Sequence, residues 1–189
     1  MDQLSFFADE LRPPEGLFLY PEFLDPKEER ELLAAITRQA WEEVRMHGVV
    51  AKRRVKHYGL NYGYSNWRLT PTEPPPEFLY ELMKRAAPLM GIPSEQIIEI
   101  LVTEYPTGAG IGWHRDAPMF GDAVFGVSLG SSTVMKFRRK IGSNYEVYKA
   151  DLPARGAYVI SGQARRVWQH HIAPVKAPRW SITFRSLKS

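Results

Sequence analysis

The chain has 189 residues, 44% of them hydrophobic and 12% aromatic, which predicts one folded domain with a real core and excludes a disordered chain. It contains no cysteine, so disulfides, thiolate metal sites and cysteine nucleophiles are excluded, and any metal must be held by His, Asp or Glu. The formal charge of +4 is mildly basic and favours an acidic partner such as nucleic acid, with basic clusters at 51–56, 136–140 and 164–166.

Residues 1–15 read as a loose leader ending in "RPPEG". A helix is expected next: Asp25 as N-cap, Pro26 at the first helical position, Glu28 closing a capping box, and Leu32, Leu33 and Ile36 on one face. A pair of strands is expected near "RVKHYG" (54–59) and "YGYSNW" (62–67). A second helix fits 76–90 and stops near Gly91 and Pro93. From residue 97 short segments rich in Val, Ile, Tyr, Phe and Thr alternate with Gly and Pro turns. They predict strands over 97–105, 123–129, 133–139, 145–152, 156–161, 166–172 and 179–185. Helices followed by about seven short strands read as α+β with an antiparallel sandwich or barrel. No helices separate the later strands, which argues against a parallel sheet. No apolar run reaches the ~18–20 residues of a membrane span. The N-terminus lacks a signal-peptide pattern, so a cytoplasmic protein without membrane contact is expected.

"GWHRDAPMF" (112–120) holds His114 and Asp116 two apart, on one face of an extended chain. His170 and His171 follow about fifty-five residues later. Two histidines and a carboxylate make the facial triad of non-haem Fe(II) oxygenases, with positions left open for a co-substrate and O2. Strand parity lets at most one of His170 and His171 face a given site. Arg166, Trp168, His170 and Ile172 form the bulkier of the two faces, although Val167 on the other weakens the contrast. Arg179 and Arg185 lie six apart in "RWSITFR", on one face with Ser181 and Thr183. Two arginines on an inner face are costly unless anions meet them, and a dicarboxylate such as 2-oxoglutarate supplies two.

The order and wording of "VTEYPTGAGIGWHRD", "GVSLGSSTVMKFRR", "SGQARRVWQHHI" and "RWSITFR" resemble the AlkB family of Fe(II)/2-oxoglutarate dioxygenases, over most of the chain from Gly16 onward. The resemblance implies a double-stranded β-helix, or jelly-roll, core at about 97–189. It also implies a nucleotide-recognition lid at about 44–70, within a single domain spanning 16–189. His114 and Asp116 match two metal ligands. The family pattern of a ligand His, one variable residue and Ile makes His170 the third. Arg179 matches the arginine for the distal carboxylate of 2-oxoglutarate, and Arg185 the one near its metal-chelating carboxylate. Tyr105 matches a tyrosine that hydrogen-bonds the co-substrate. Thr103 and Ser181 stand where the family often has Asn. Pro118 replaces an acidic substrate-reading residue. The implied activity is oxidative dealkylation of N-alkylated bases in nucleic acid with Fe(II), 2-oxoglutarate and O2, releasing formaldehyde, succinate and CO2.

An enzyme acting on a base must extract it and hold it against aromatic faces. Arg54, Tyr58, Tyr62, Tyr64 and Trp67 are the lid's candidates for this, with Arg139 continuing a phosphate track. Arg166 shares parity with His170 and is a candidate to point inward. "QLSFF" (3–7) resembles the short peptide that docks bacterial repair proteins on the sliding clamp. A monomer is expected. Two rival readings stand beside this one: an oxygenase of the same chemistry acting on RNA, protein or a small molecule, and a non-catalytic nucleic-acid-binding jelly roll.

Overall fold

The computed structural model describes residues 12–46, 49–63 and 68–188. Among them the chain runs β1 (Leu17–Tyr20), α1 (Pro26–Ile36), β2 (Glu42–Met46), β3 (Val49–Gly63), β4 (Arg68–Pro71), α2 (Tyr80–Met90), β5 (Glu99–Tyr105), β6 (Ile111–His114) and β7 (Phe120–Gly130). It continues with β8 (Thr133–Ile141), β9 (Asn144–Leu152), β10 (Ala157–Ile160), α3 (Gly162–Arg166), β11 (Gln169–Ile172) and β12 (Arg179–Leu187). The larger sheet has the order β1-β10-β7-β12-β5-β3-β2, with β4 paired to β3, and the smaller is β6-β11-β8-β9. The neighbouring strands are antiparallel, and the two sheets form the expected double-stranded β-helix.

Helix α1 starts as its sequence dictates. Asp25 Oδ1 accepts from the backbone N–H groups of Lys27 and Glu28 at 2.7 and 2.8 Å, and Glu28 Oε2 accepts from the Asp25 N–H at 2.8 Å. Such a cap contributes about 0.5–2 kcal/mol. Helix α2 ends at Gly91, whose φ of +70° suits a glycine. Its expected first turn is a 3-10 turn at Glu77–Leu79, because Pro76 before it is extended. Leu32, Ile36, Leu82 and Ala86 of these helices pack on Ile100, Val102, Phe125, Val127, Ile182 and Phe184 of the larger sheet. With these residues turned to the helices, alternation turns Thr103, Tyr105, Arg179, Ser181 and Arg185 into the space between the sheets. Met135, Phe137, Tyr158, Ile160, Trp168 and Ile172 form a second core there.

Two expectations are corrected. Residues 54–59 and 62–63 belong to one strand, β3, rather than to two. At Gly59 the strand exchanges β5 for β4 as its neighbour. Gly59 bends there with φ +79°, and a Cβ would stand 2.2 Å from the Ile98 carbonyl oxygen. The strand expected over 166–172 begins only at Gln169, because 162–166 coil into α3. No helix among the described residues is long and apolar enough to cross a membrane. The proposed clamp peptide, Tyr64 and Trp67 lie outside the described residues.

Candidate metal and co-substrate site

Register builds the site. His170 on β11 stands directly opposite His114 on β6, so both imidazoles share the inner face, with ring centroids 4.2 Å apart. Asp116 lies just past β6, and its Oδ2 is 3.7 Å from His170 Nε2. His114 Nδ1 is 2.9 Å from the Gly112 carbonyl oxygen. That contact assigns the proton to Nδ1 and leaves the Nε2 lone pair available. His170 is buried, whereas His171 points to the other face and stacks on Trp113 at 4.9 Å.

Burial, with His114 adding to it and Asp116 opposing, pushes the His170 pKa down to about 3. The ring is therefore neutral, as a metal ligand must be. Burial alone would raise the Asp116 pKa, but Arg185, His170, His114 and Arg165 outweigh it and hold the carboxyl well below the usual range. Arg185 Nε donates to Asp116 Oδ1 at 2.9 Å, and its Nη1 donates to Glu99 Oε2 at 2.7 Å. Among the described residues, no three His, Asp or Glu side chains are gathered closely enough to enclose an ion as they stand. The Asp116 carboxylate leans toward Arg185 through Oδ1 and leaves Oδ2 facing His170. In chemistry, two imidazoles and one ionised carboxylate fit Fe(II).

Arg179 makes the stronger statement. It is fully buried, yet among the described residues Nη2 alone has a partner, donating to Ser128 Oγ at 2.8 Å, while Nε and Nη1 have none. Its guanidinium carbon sits 5.1 Å from the centre of the Tyr105 ring. A buried cation with two orphaned donors is costly unless an anion meets it. Arg179 pairs with Tyr105, Ser181 with Thr103 and Arg185 with Glu99 across β12 and β5, so all five expected co-substrate residues share one face. Gly126 makes room beside them: a Cβ there would lie 2.2 Å from Cζ of Tyr158.

Several residues were not legible as site residues. Glu99, buried against Arg185, shares strand parity with Thr103 and Tyr105, and that parity is the available signal. Ser128 follows from its register opposite Ser181. Arg165 gives no periodic signal. It is buried and donates to the carbonyl oxygens of Asp116, Ala117 and Phe120 at 3.0, 2.8 and 3.3 Å, pinning the loop that carries Asp116. Arg166, a candidate to point inward, is instead exposed and stands 3.6 Å from Asp122, because α3 replaces the expected strand. Pro118, Arg115, Arg166 and Gln169 line an open pocket of about 690 Å3 beside Asp116. A pocket of about 610 Å3 between β1 and the β8–β9 pair contains no histidine or arginine and lies apart from this chemistry.

The expected substrate residues are placed less favourably. Tyr58 is part of the helix-covered core, its hydroxyl donating to Gln39 Oε1 at 3.0 Å, so it is not offered to a substrate. Arg54 shares its parity and is paired with Glu104. Arg139 is paired with Glu146 and lies over Trp168. Tyr62 lies on β3. The other parity of β3 faces the site, where Val55 stands opposite Thr103 and His57 opposite Leu101. Burial first, then Arg185 and Lys56, push the His57 pKa down to about 4, and its Nδ1 is buried without a partner among the described residues.

Residues 16–185 match the profile of the 2OG-Fe(II) oxygenase superfamily. The chain is 32% identical over 196 residues to the "Alkylated DNA repair protein ALKBH8 homolog" of Arabidopsis thaliana, covering 89% of this chain and 54% of the relative. It is 31% identical over 169 residues to the "tRNA (carboxymethyluridine(34)-5-O)-methyltransferase alkbh8" of Xenopus tropicalis, covering 86% of this chain and 26% of the relative. The chain thus spans about half, or less, of the length of these relatives. The solved structure of OsALKBH1 superposes with a TM-score of 0.69 at 15% identity, covering 93% of this chain and 98% of that one, and shares the fold. A Pseudomonas putida prolyl-4-hydroxylase does so at 0.63 and 14%, covering 91% and 92%. The chain therefore belongs to the 2OG-Fe(II) oxygenase superfamily, as an AlkB-like member. Membership brings Fe(II), 2-oxoglutarate and O2 as the cofactor set.

Proposed function

We propose that this protein oxidatively dealkylates N-alkylated bases in nucleic acid, with His114, Asp116 and His170 holding Fe(II). The observation that carries the reading is the shared inner face: a His114–His170 cross-strand pair beside Asp116, and a fully buried Arg179 with two donors unpaired among the described residues. When bound, the iron and 2-oxoglutarate supply the activation of O2 that hydroxylates an alkyl group. The protein's part is positional. Arg179 and Ser128 grip the distal carboxylate of the co-substrate, and Tyr105, Thr103 and Ser181 border its chain. Arg185 holds Asp116 in its ionised form, and Arg165 fixes the loop beneath it. The buried sheet interior shields the reacting atoms from water.

Nucleic acid as the substrate draws support from the relatives named for alkylated DNA repair and for tRNA, which make both DNA and RNA part of the test. The site-facing side of β3, with Val55 and His57, is the nearest described candidate to meet a base. The paired histidines supply the experiment. His170→Ala abolishes Fe(II) binding and turnover of a methylated oligonucleotide, whereas His171→Ala keeps the metal, as read by calorimetric titration and mass spectrometry. The reverse pattern refutes the ligand assignment.

A further inference from the structure

The outer face of the small sheet, on the far side of β11 from His170, is built unlike an ordinary solvated sheet. Lys136 on β8 is directly opposite Lys149 on β9, a like-charged pair that destabilises a sheet. Among the described residues no ion pair neutralises Lys136 or Lys149. Of the acids of these strands, Glu146 is engaged by Arg139 on the other face, and Asp151, on the same face two residues beyond Lys149, forms no ion pair with either lysine among the described residues. Across this face runs a stack with one member from each strand. His171 lies 4.9 Å from Trp113 at 24°, and the Arg138 guanidinium carbon lies 4.3 Å from the Trp113 ring and 4.5 Å from the Tyr145 ring. Gln169 Oε1 accepts from Arg138 Nε at 2.9 Å, fixing the guanidinium between its two rings. Tyr145 remains 51% exposed.

We propose that this face docks a single-stranded polynucleotide, with phosphates meeting Lys136, Arg138 and Lys149 and a base stacking on Tyr145. A cationic track interleaved with aromatic rings is the chemistry that holds such strands without reading their sequence. An acidic peptide would satisfy the charges but leave the ordered aromatic stack unused. The inference rests on nucleic acid as the partner, but it concerns a surface separate from the metal site.

The test is fluorescence anisotropy with a labelled, unmodified oligothymidylate across a salt series. Lys136→Glu/Lys149→Glu weakens binding about tenfold or more and lowers the slope of log affinity against log salt by about 1.4, roughly 0.7 for each lost phosphate contact. Tyr145→Ala weakens it about fivefold or more without changing the slope. Both variants dealkylate a methylated mononucleotide, too short to span the two surfaces, as the parent does. Unchanged affinity and slope in the double variant overturn the proposal, as does equal competition by polyglutamate. Turnover of the mononucleotide by a protein that fails to bind oligothymidylate overturns the docking surface alone. Lost oligonucleotide binding in the variants, with no mononucleotide turnover by any form, upholds the surface and overturns the proposed reaction.

Discussion

Replacing Arg179 by Met separates a co-substrate arginine from a structural one, because the two roles predict opposite effects on the metal-free protein. Among the described residues Arg179 has one hydrogen bond, to Ser128 Oγ at 2.8 Å, and two buried nitrogens without partners. Losing that bond costs about 0.5–1.5 kcal/mol, and each orphaned donor carries a desolvation penalty of about 1–3 kcal/mol. The loss of the contact with Tyr105 removes about 1–2 kcal/mol. The net runs from a loss of about 1.5 to a gain of about 4.5 kcal/mol, centred on a small gain, so the variant should melt at the parent's temperature or a few degrees above it, at about 2–4 °C per kcal/mol for a chain of this size. Binding of 2-oxoglutarate tells the other half. Deleting one partner of a buried charge-assisted pair costs about 2–5 kcal/mol, which is roughly thirty- to several-thousand-fold in affinity. Differential scanning fluorimetry with and without 2-oxoglutarate and Mn(II) reads both effects. The expected result is an unchanged or slightly raised metal-free melting temperature and loss of the ligand-induced rise. A fall of more than about 10 °C with 2-oxoglutarate affinity retained would refute the reasoning.

Arg185, six residues along the same strand, should behave in the opposite way. Arg185→Met leaves Glu99 and Asp116 buried without their shared partner, which costs about 3–5 kcal/mol and lowers the metal-free melting temperature by about 6–20 °C; a change under 3 °C contradicts this. Arg165→Met frees three carbonyl oxygens around the Asp116 loop, so Fe(II) affinity should fall at least about tenfold while 2-oxoglutarate affinity changes less. Equal losses in both titrations would contradict the positioning role. Acid should destabilise the metal-free protein through His57 and His170. Their folded pKa values, about 4 and about 3, lie below the ordinary histidine value of about 6.5, so the unfolded chain binds more protons in that window and stability falls as pH drops. Glu99, whose pKa burial raises, works the other way in the same window. The comparison with His57→Gln isolates the histidine: the variant should lose less stability between about pH 7 and about pH 5, and an identical loss would contradict the assignment.

How far the site was legible follows from strand periodicity. A period of two puts Arg179, Ser181 and Arg185 on one face of β12 and Thr103 and Tyr105 on one face of β5, and the register of β5 against β12 brings the two faces together. The same rule limited His170 and His171 to opposite faces, and the buried His170 is the one that faces His114. The rule failed where the strand itself was misjudged. Arg166 is a candidate to point inward only if 166–172 is a strand, but 162–166 form a helix and the buried arginine is its neighbour Arg165. In β3, Arg54 and Tyr58 share one face, and sequence gives no sign of which face the helices cover. That face proved to be theirs, so Tyr58 is core and His57 looks toward the site. The capping box of α1 was readable because its partners lie within three residues. The contact of Arg165 with Asp116 spans 49 residues and is fixed by tertiary structure alone.

The most direct measurement incubates the protein with Fe(II), 2-oxoglutarate and ascorbate on a panel of N-methylated single-stranded DNA and RNA oligonucleotides, and follows oligonucleotide mass and succinate together. The account predicts that at least one oligonucleotide loses the mass of a CH2 group with one succinate formed per event, and that His170→Ala loses both signals. No mass change on any oligonucleotide, or demethylation undiminished in His170→Ala, would contradict it.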